Sequence, residues 1–81
     1  MEKGEVVKAL AGKEKNQVFV IVDIKENFVY LSDGKRLKYQ KPKKKSAKHV
    51  KKSSTMRFPI TELEIKDEKV NASIRNFLKK L

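Results

Sequence analysis

The chain contains no cysteine and no tryptophan, and only one histidine, two prolines and three glycines among its 81 residues. Without cysteine no disulfide staples the fold, and a thiol nucleophile or cysteine zinc site is impossible. That absence also fits a reducing compartment. One histidine does not make a conventional metal site. A histidine-based catalytic group would need an orienting partner and a nucleophile. Asp23 falls in an expected strand and Ser53-Ser54-Thr55 in an expected linker, so nothing indicates a triad. No Gly-rich phosphate loop of the Walker type is present. The expectation is therefore no enzyme, no metal and no cofactor. Long apolar runs are missing too: the longest, Val18–Val22, is five residues, far short of a membrane span. Nor does the long apolar stretch of a secretory signal follow Met1. A soluble, cytoplasmic chain is expected. Its length allows one domain, and a domain this small buries only about 60% of its unfolded surface, so the core must be small.

The most telling absence is local. From Gly34 to Arg57 there is no acidic residue, against eleven basic ones: Lys35, Arg36, Lys38, Lys41, Lys43, Lys44, Lys45, Lys48, Lys51, Lys52 and Arg57. The rest of the chain balances ten basic groups with ten acidic ones, so the whole formal charge of +11 belongs to this stretch. Like charges at such density repel, and the usual compensation is a polyanionic partner whose neutralised phosphates release counterions. The competing readings are a solubilising or disordered loop, a nuclear-localisation signal at Lys43-Lys44-Lys45, or contact with an anionic membrane. No apolar helical face accompanies the lysines, which disfavours a membrane.

What is present reads mainly as β-structure. Glu5–Leu10 forms a first strand between Gly4 and Gly12. Gln17–Lys25 is dense in β-branched residues and forms a second. Period two places Val18, Val20, Val22 and Ile24 on one face, and Phe19, Ile21 and Asp23 on the other. Both faces are apolar in the middle, so this strand should be central and strongly curved. Lys25-Glu26-Asn27 is a turn into a third strand, Phe28–Leu31. Asp33-Gly34 marks a two-residue hairpin, and Lys35–Gln40 should return as a fourth strand, with Leu37 and Tyr39 on one face and Arg36 and Lys38 on the other. Pro42 has no amide hydrogen for a ladder and should end that strand. Lys43–Ala47 then reads as a loop, Lys48–Lys52 as a brief fifth strand, and Met56 to Val70 as a linker or extra strand. In that segment Leu63 and Ile65 alternate with Glu62 and Glu64 as in an exposed strand. Asn71 should cap a closing helix over 71–81, whose Ile74, Phe77, Leu78 and Leu81 share one face. Five short strands in about fifty residues suggest a small closed or half-open barrel, and closure would remove edge strands.

The run from Gly4 to Asp23, strand, basic Gly-containing loop and second strand, resembles a KOW motif. Val18–Ile24 followed by Asn27-Phe28-Val29 is similar to the archaeal and eukaryotic large-subunit ribosomal protein called fourteen-e. Lys41-Pro42-Lys43-Lys44-Lys45, then Lys48-His49-Val50, looks like its short bacterial relatives, the KOW-domain RNA-binding proteins, and Ser73–Leu78 resembles their closing helix. The resemblance covers most of residues 4–52 and the last ten; residues 53–70 match poorly. It implies an SH3-like β-barrel over residues 1–55, including a basic loop at 41–47, that binds RNA, ribosomal RNA first. The family often has Gly where this chain has Asn16.

Two basic elements are expected to make one RNA surface. Lys13, Lys15 and Asn16 lie on the first hairpin loop, and Lys35, Arg36, Lys38, Tyr39, Lys41, Lys43, Lys44, Lys45, Lys48, His49, Lys51 and Lys52 on the second. Lysine outnumbers arginine by 18 to 3, which favours backbone tracking over reading of base edges. Arg36 is the best candidate for a bidentate contact, and Tyr39 either stacks on a base or belongs to the core. Phe19, Phe28 and Phe77 belong to the core, while Tyr30 is open. His49 offers hydrogen bonds to phosphate or ribose, or else serves the fifth strand. Glu62, Glu64, Asp67 and Glu68 are either a solvated segment or a screen folded over the lysines. The expected partners are RNA and possibly ribosomal proteins, and the free chain is expected to be a monomer. The alternatives are a protein-interaction module on the ribosome or transcription machinery and, more weakly, a DNA-binding protein.

Overall fold

In the computed structural model, which describes residues 1–65 and 67–81, the chain is an antiparallel five-stranded sheet with two helices. The elements are β1 (Glu5–Ala9), β2 (Val18–Lys25), β3 (Phe28–Ser32), β4 (Lys43–Ser46), a 3-10 turn at Ala47–His49, β5 (Val50–Arg57), α1 (Ile60–Leu63) and α2 (Lys69–Lys79). The strand order is β4-β3-β2-β1-β5, which places β2 in the centre as its two apolar faces require. β4 and β5 follow each other in sequence yet occupy opposite edges, joined only by the 3-10 turn. Ala47 N–H donates to the Asn27 carbonyl at 2.8 Å, and the His49 carbonyl accepts from Leu10 N–H at 2.9 Å. Within three residues the chain is thus tied to the neighbourhoods of both β3 and β1, so the sheet is bent until its edges approach. The expected barrel is not closed: the turn sends β5 against β1, and β4 keeps a free outer edge.

Two hydrophobic clusters result, one on each face of β2. The inner one holds Val7, Ala9, Phe19, Ile21, Val29, Leu31 and Val50. The outer one joins Val20 and Val22 to Phe58, Leu63, Val70 and Ile74, so β2 is covered outside by the helices. Phe58 and Phe77 meet edge to face at 5.4 Å, an arrangement worth about 0.5–1.5 kcal/mol beyond burial. Strict alternation fails at one point. Ile21 pairs with Leu31, but Asp23 pairs with Tyr30, which leaves Val22 as an extra residue on β2. A bulge of this kind bends the strand and resets its faces. Ile24 therefore joins the inner cluster instead of following Val20 and Val22, while Asp23 lies half-buried beside Lys3, 3.7 Å away.

Several expectations are corrected. Residues 35–40 are not a strand and Asp33-Gly34 is not a two-residue hairpin turn. The Asp33 carboxylate accepts from Lys35 N–H at 2.9 Å and Leu37 N–H at 3.0 Å. Buried Ser32 donates its hydroxyl to the Leu37 carbonyl at 2.7 Å and accepts from Gly34 N–H at 3.1 Å. These side chains offer the backbone bonds that a ladder would otherwise supply. The expected basic loop is instead the edge strand β4, and β5 runs through the expected linker at Ser53-Ser54-Thr55 to Arg57. Leu63 sits in a short helix, its side chain buried under Tyr39, and no strand forms over 60–65. Lys66, within the expected linker over 56–70, lies outside the described residues. The closing helix begins at Lys69, where Asp67 Oδ1 accepts from the Lys69 N–H at 2.7 Å, the service expected from Asn71. Asn71 is wholly buried inside the helix; it accepts from Tyr39 N–H at 2.8 Å and donates to Gln40 Oε1 at 2.8 Å. Among the described residues no helix is long and apolar enough to cross a membrane.

The loop between β3 and β4 is locked onto α2 at Gly34. Its φ is +72°, and a Cβ there would stand 2.1 Å from the Asn71 carbonyl oxygen. Gly34→Ala is expected to cost clearly more than the ~1–2 kcal/mol of a left-handed alanine alone, because backbone must move. Gly12→Ala, also at positive φ, meets no backbone, only the Lys45 ammonium at 3.1 Å and the Glu14 carboxylate at 3.8 Å, and should cost less than Gly34→Ala. Denaturant midpoints of the two variants check the contrast.

Candidate nucleic-acid interface

The first basic element is the loop over 10–17. Asn16 N–H donates to the Ala9 carbonyl at 2.9 Å, and Gln17 N–H to the Glu14 carbonyl at 2.9 Å. Asn16 adopts φ 71°, the left-handed conformation a glycine would take there, and Asn accepts it more readily than most residues. Lys13 and Lys15 are left on the exposed outside of the loop. The second element is the loop over 33–42. Leu37 leans on the inner cluster, Tyr39 on the outer one, and Lys35, Arg36, Lys38 and Lys41 are exposed around these anchors.

The two elements meet. Lys13 and Arg36 line one recess of about 120 Å³ with Leu37 and two carboxylates, Glu14 and Asp33. A second recess of about 400 Å³ continues from Arg36 past Lys38 and Lys41 to Lys43. A basic rim thus runs from the β1–β2 loop to the start of β4, with Leu37 and Pro42 as apolar floor. Lys48, His49, Lys51 and Lys52 are exposed beyond the far end of β4, on the 3-10 turn and β5.

Ion pairs sort these cations. Lys38 lies 3.7 Å from Glu68, Lys52 3.8 Å from Glu5 and Arg57 2.7 Å from Glu2. Each pair has at least one largely exposed member, a class that contributes little to stability. Lys45 is different. Its side chain is only 11% exposed, its Nζ sits 3.3 Å from Glu14, 17% exposed, and donates to the Ala11 carbonyl at 3.0 Å. It ties β4 to the first loop, so its ammonium is engaged within the fold where the other expected RNA-binding lysines are exposed. Lys13, Lys15, Lys35, Arg36, Lys41, Lys43, Lys44, Lys48 and Lys51 have no acidic partner among the described residues. Of the four C-terminal carboxylates only Glu68 reaches the basic stretch, through Lys38 and Gln40.

Tyr39 is a structural residue: its hydroxyl donates to the Leu63 carbonyl at 3.1 Å and its ring packs in the outer cluster. Tyr30 packs there too. His49 is exposed, and its carbonyl serves the bend at Leu10. Phe28 reverses expectation. It is 39% exposed at the start of β3, with the Lys44 ammonium 4.3 Å from its ring centroid. Two lysines outside the basic stretch also belong to the charged surface. Lys25 pairs with Phe28 across the β2–β3 ladder, and Lys8 faces Lys51 across β1 and β5. Directly opposed like charges are unfavourable. Nothing in the composition marks either lysine; only strand register does.

No protein-family model and no curated protein matches the chain.

The division between strut and free cation is measurable. Lys45→Gln should lower stability by about 1–3 kcal/mol, because it strands a largely buried Glu14 and frees the Ala11 carbonyl. Lys43→Gln should change stability by less than about 0.5 kcal/mol, as exposed substitutions do. Equilibrium denaturation of both variants checks the difference.

Proposed function

We propose that this chain is an RNA-binding module that tracks the phosphate backbone, built as a small, half-open SH3-like barrel of the KOW class, with ribosomal RNA as its target. The carrying observation is that cations without an acidic partner among the described residues, Lys13 on the first loop with Arg36 and Lys41 on the second and Lys43 at the start of β4, line two adjoining recesses. A strand order of β4-β3-β2-β1-β5, with a 3-10 turn linking the two edge strands, supports the SH3-like reading. The left-handed Asn16 at the end of the first loop supports the KOW reading, since the hairpin keeps its shape without the family's glycine.

Chemically, lysine ammonium groups are mobile point charges suited to phosphate, whereas Arg36 offers a planar fork. Affinity then comes chiefly from counterion release, and specificity from the shape of the RNA that fits the rim. A second reading, docking on protein, has one observation in its favour: Ile60 and Ile65 are 45% and 61% exposed. Co-sedimentation with large ribosomal subunits, with and without nuclease, separates the two readings.

If about five phosphates are neutralised, the logarithm of the association constant should fall against the logarithm of salt with a slope near −3.5 for single-stranded RNA. Replacing Arg36, Lys41 and Lys43 by Gln should flatten that slope by about 0.7 per residue and weaken all sequences alike. Filter binding or fluorescence anisotropy across a salt series reads both. A slope of zero would sink the proposal.

A further inference from the structure

Phe28 is the exposed aromatic among the described residues, at 39%. Among the other phenylalanines Phe19 and Phe58 are buried, and Phe77 packs against Phe58. Phe28 sits at the corner where three elements meet. On β2 its register partner is Lys25, and on β4 it is Ser46. Lys44 reaches over the ring at 4.3 Å. The hydrogen bond from Ala47 N–H to the Asn27 carbonyl sets the 3-10 turn, with exposed Lys48 and His49, beside the same corner. One acidic residue, Glu26, lies in the adjoining turn, exposed and at φ 54°. It disfavours phosphate on that side and leaves the β4 side open.

We infer that Phe28 is a stacking platform for an unpaired base, with Lys25 and Lys44 on the flanking phosphates. The ring face already holds an ammonium group, the ligand a π face takes in the absence of another ring. Lys44 has no carboxylate partner among the described residues, so it gives way easily and meets the phosphate of the base that replaces it. Base–aromatic stacking tolerates any base, since all have a π face. The inference rests on the RNA-binding reading and narrows it. The partner is single-stranded or looped RNA, not a continuous duplex, whose bases are stacked within the helix.

The test compares three probes: a short oligouridylate, an RNA duplex of the same length, and inorganic polyphosphate. Phe28→Ala and Phe28→Leu should weaken oligouridylate binding about 5- to 150-fold, with duplex and polyphosphate binding unchanged. Phe28→Trp should retain affinity, and as the sole tryptophan of the chain its fluorescence should be quenched by oligouridylate and not by polyphosphate. Circular dichroism of each variant guards against a folding defect. Native-like oligouridylate binding by Phe28→Ala, or an equal loss on all three probes, overturns the stacking role while leaving RNA binding in place. Failure of the native chain to bind either RNA overturns the RNA reading itself, and the inference falls with it.

Discussion

From Val18 to Val22 the strand β2 has no polar side chain, so water has to be kept from both of its faces at once. A single layer cannot do this. The sheet bends over the inner face, where Phe19 and Ile21 meet residues from β1, β3 and β5. The outer face needs a separate cover, which Phe58, Leu63, Val70 and Ile74 provide. Each fully buried side chain of this kind contributes roughly 1.5–3 kcal/mol against the entropy of ordering its segment. Neither half suffices for so short a chain. Without the helices Val20 and Val22 face water; without the bend Phe19 and Ile21 do.

This double covering uses most of the apolar residues, and the loops are held chiefly by polar bonds. Ser32, Asp33 and Asn71 bond the backbone over 34–39, and Arg75 donates to the Gly34 carbonyl. Lys45 does the same for the first loop. Loops fixed in this way present their charges at defined positions. At physiological ionic strength charges are screened over about 8 Å. The cations of Lys13, Arg36, Lys41 and Lys43 share adjoining recesses, so close packing leaves them only partly shielded from one another.

What could be read in the residues follows from which forces are local. The first three strands were legible because β-branched composition and period two both act there, and the central place of β2 followed from its two apolar faces. Leu37 and Tyr39 also alternate with charged residues, which imitates a strand. They are separate anchors into different clusters, and the deciding bonds come from Ser32, Asp33 and the distant Asn71. β4 was illegible for the opposite reason. Lys43-Lys44-Lys45 has no apolar pattern, yet its backbone pairs with Val29, Tyr30 and Leu31 all the same. Leu63 and Ile65 alternate like a strand, but Leu63 is buried from a helical turn. At the candidate site, the exposed lysines were legible from composition alone. Lys45 as a strut and Phe28 as an exposed ring were not, because each depends on strand register.

Register also decides how much of the charge the fold explains by itself. β4 and β5 are open edges, and lysine on an edge strand deters pairing with other chains. That gives Lys43, Lys44 and Lys51 a second role, in the fold, beside any contact with phosphate. It does not account for Lys13, Lys15, Lys35, Arg36 and Lys41, which lie on loops where no ladder needs guarding. Solubility is no better an explanation, because mixed charges serve it without repulsion and the rest of the chain uses them. Lys13, Arg36 and Lys41 instead line adjoining recesses in which, taken together, cations outnumber carboxylates, over a backbone that polar bonds hold in place. Charge on the edges also protects the fold; charge on the loops is the part for which a polyanion is the remaining explanation.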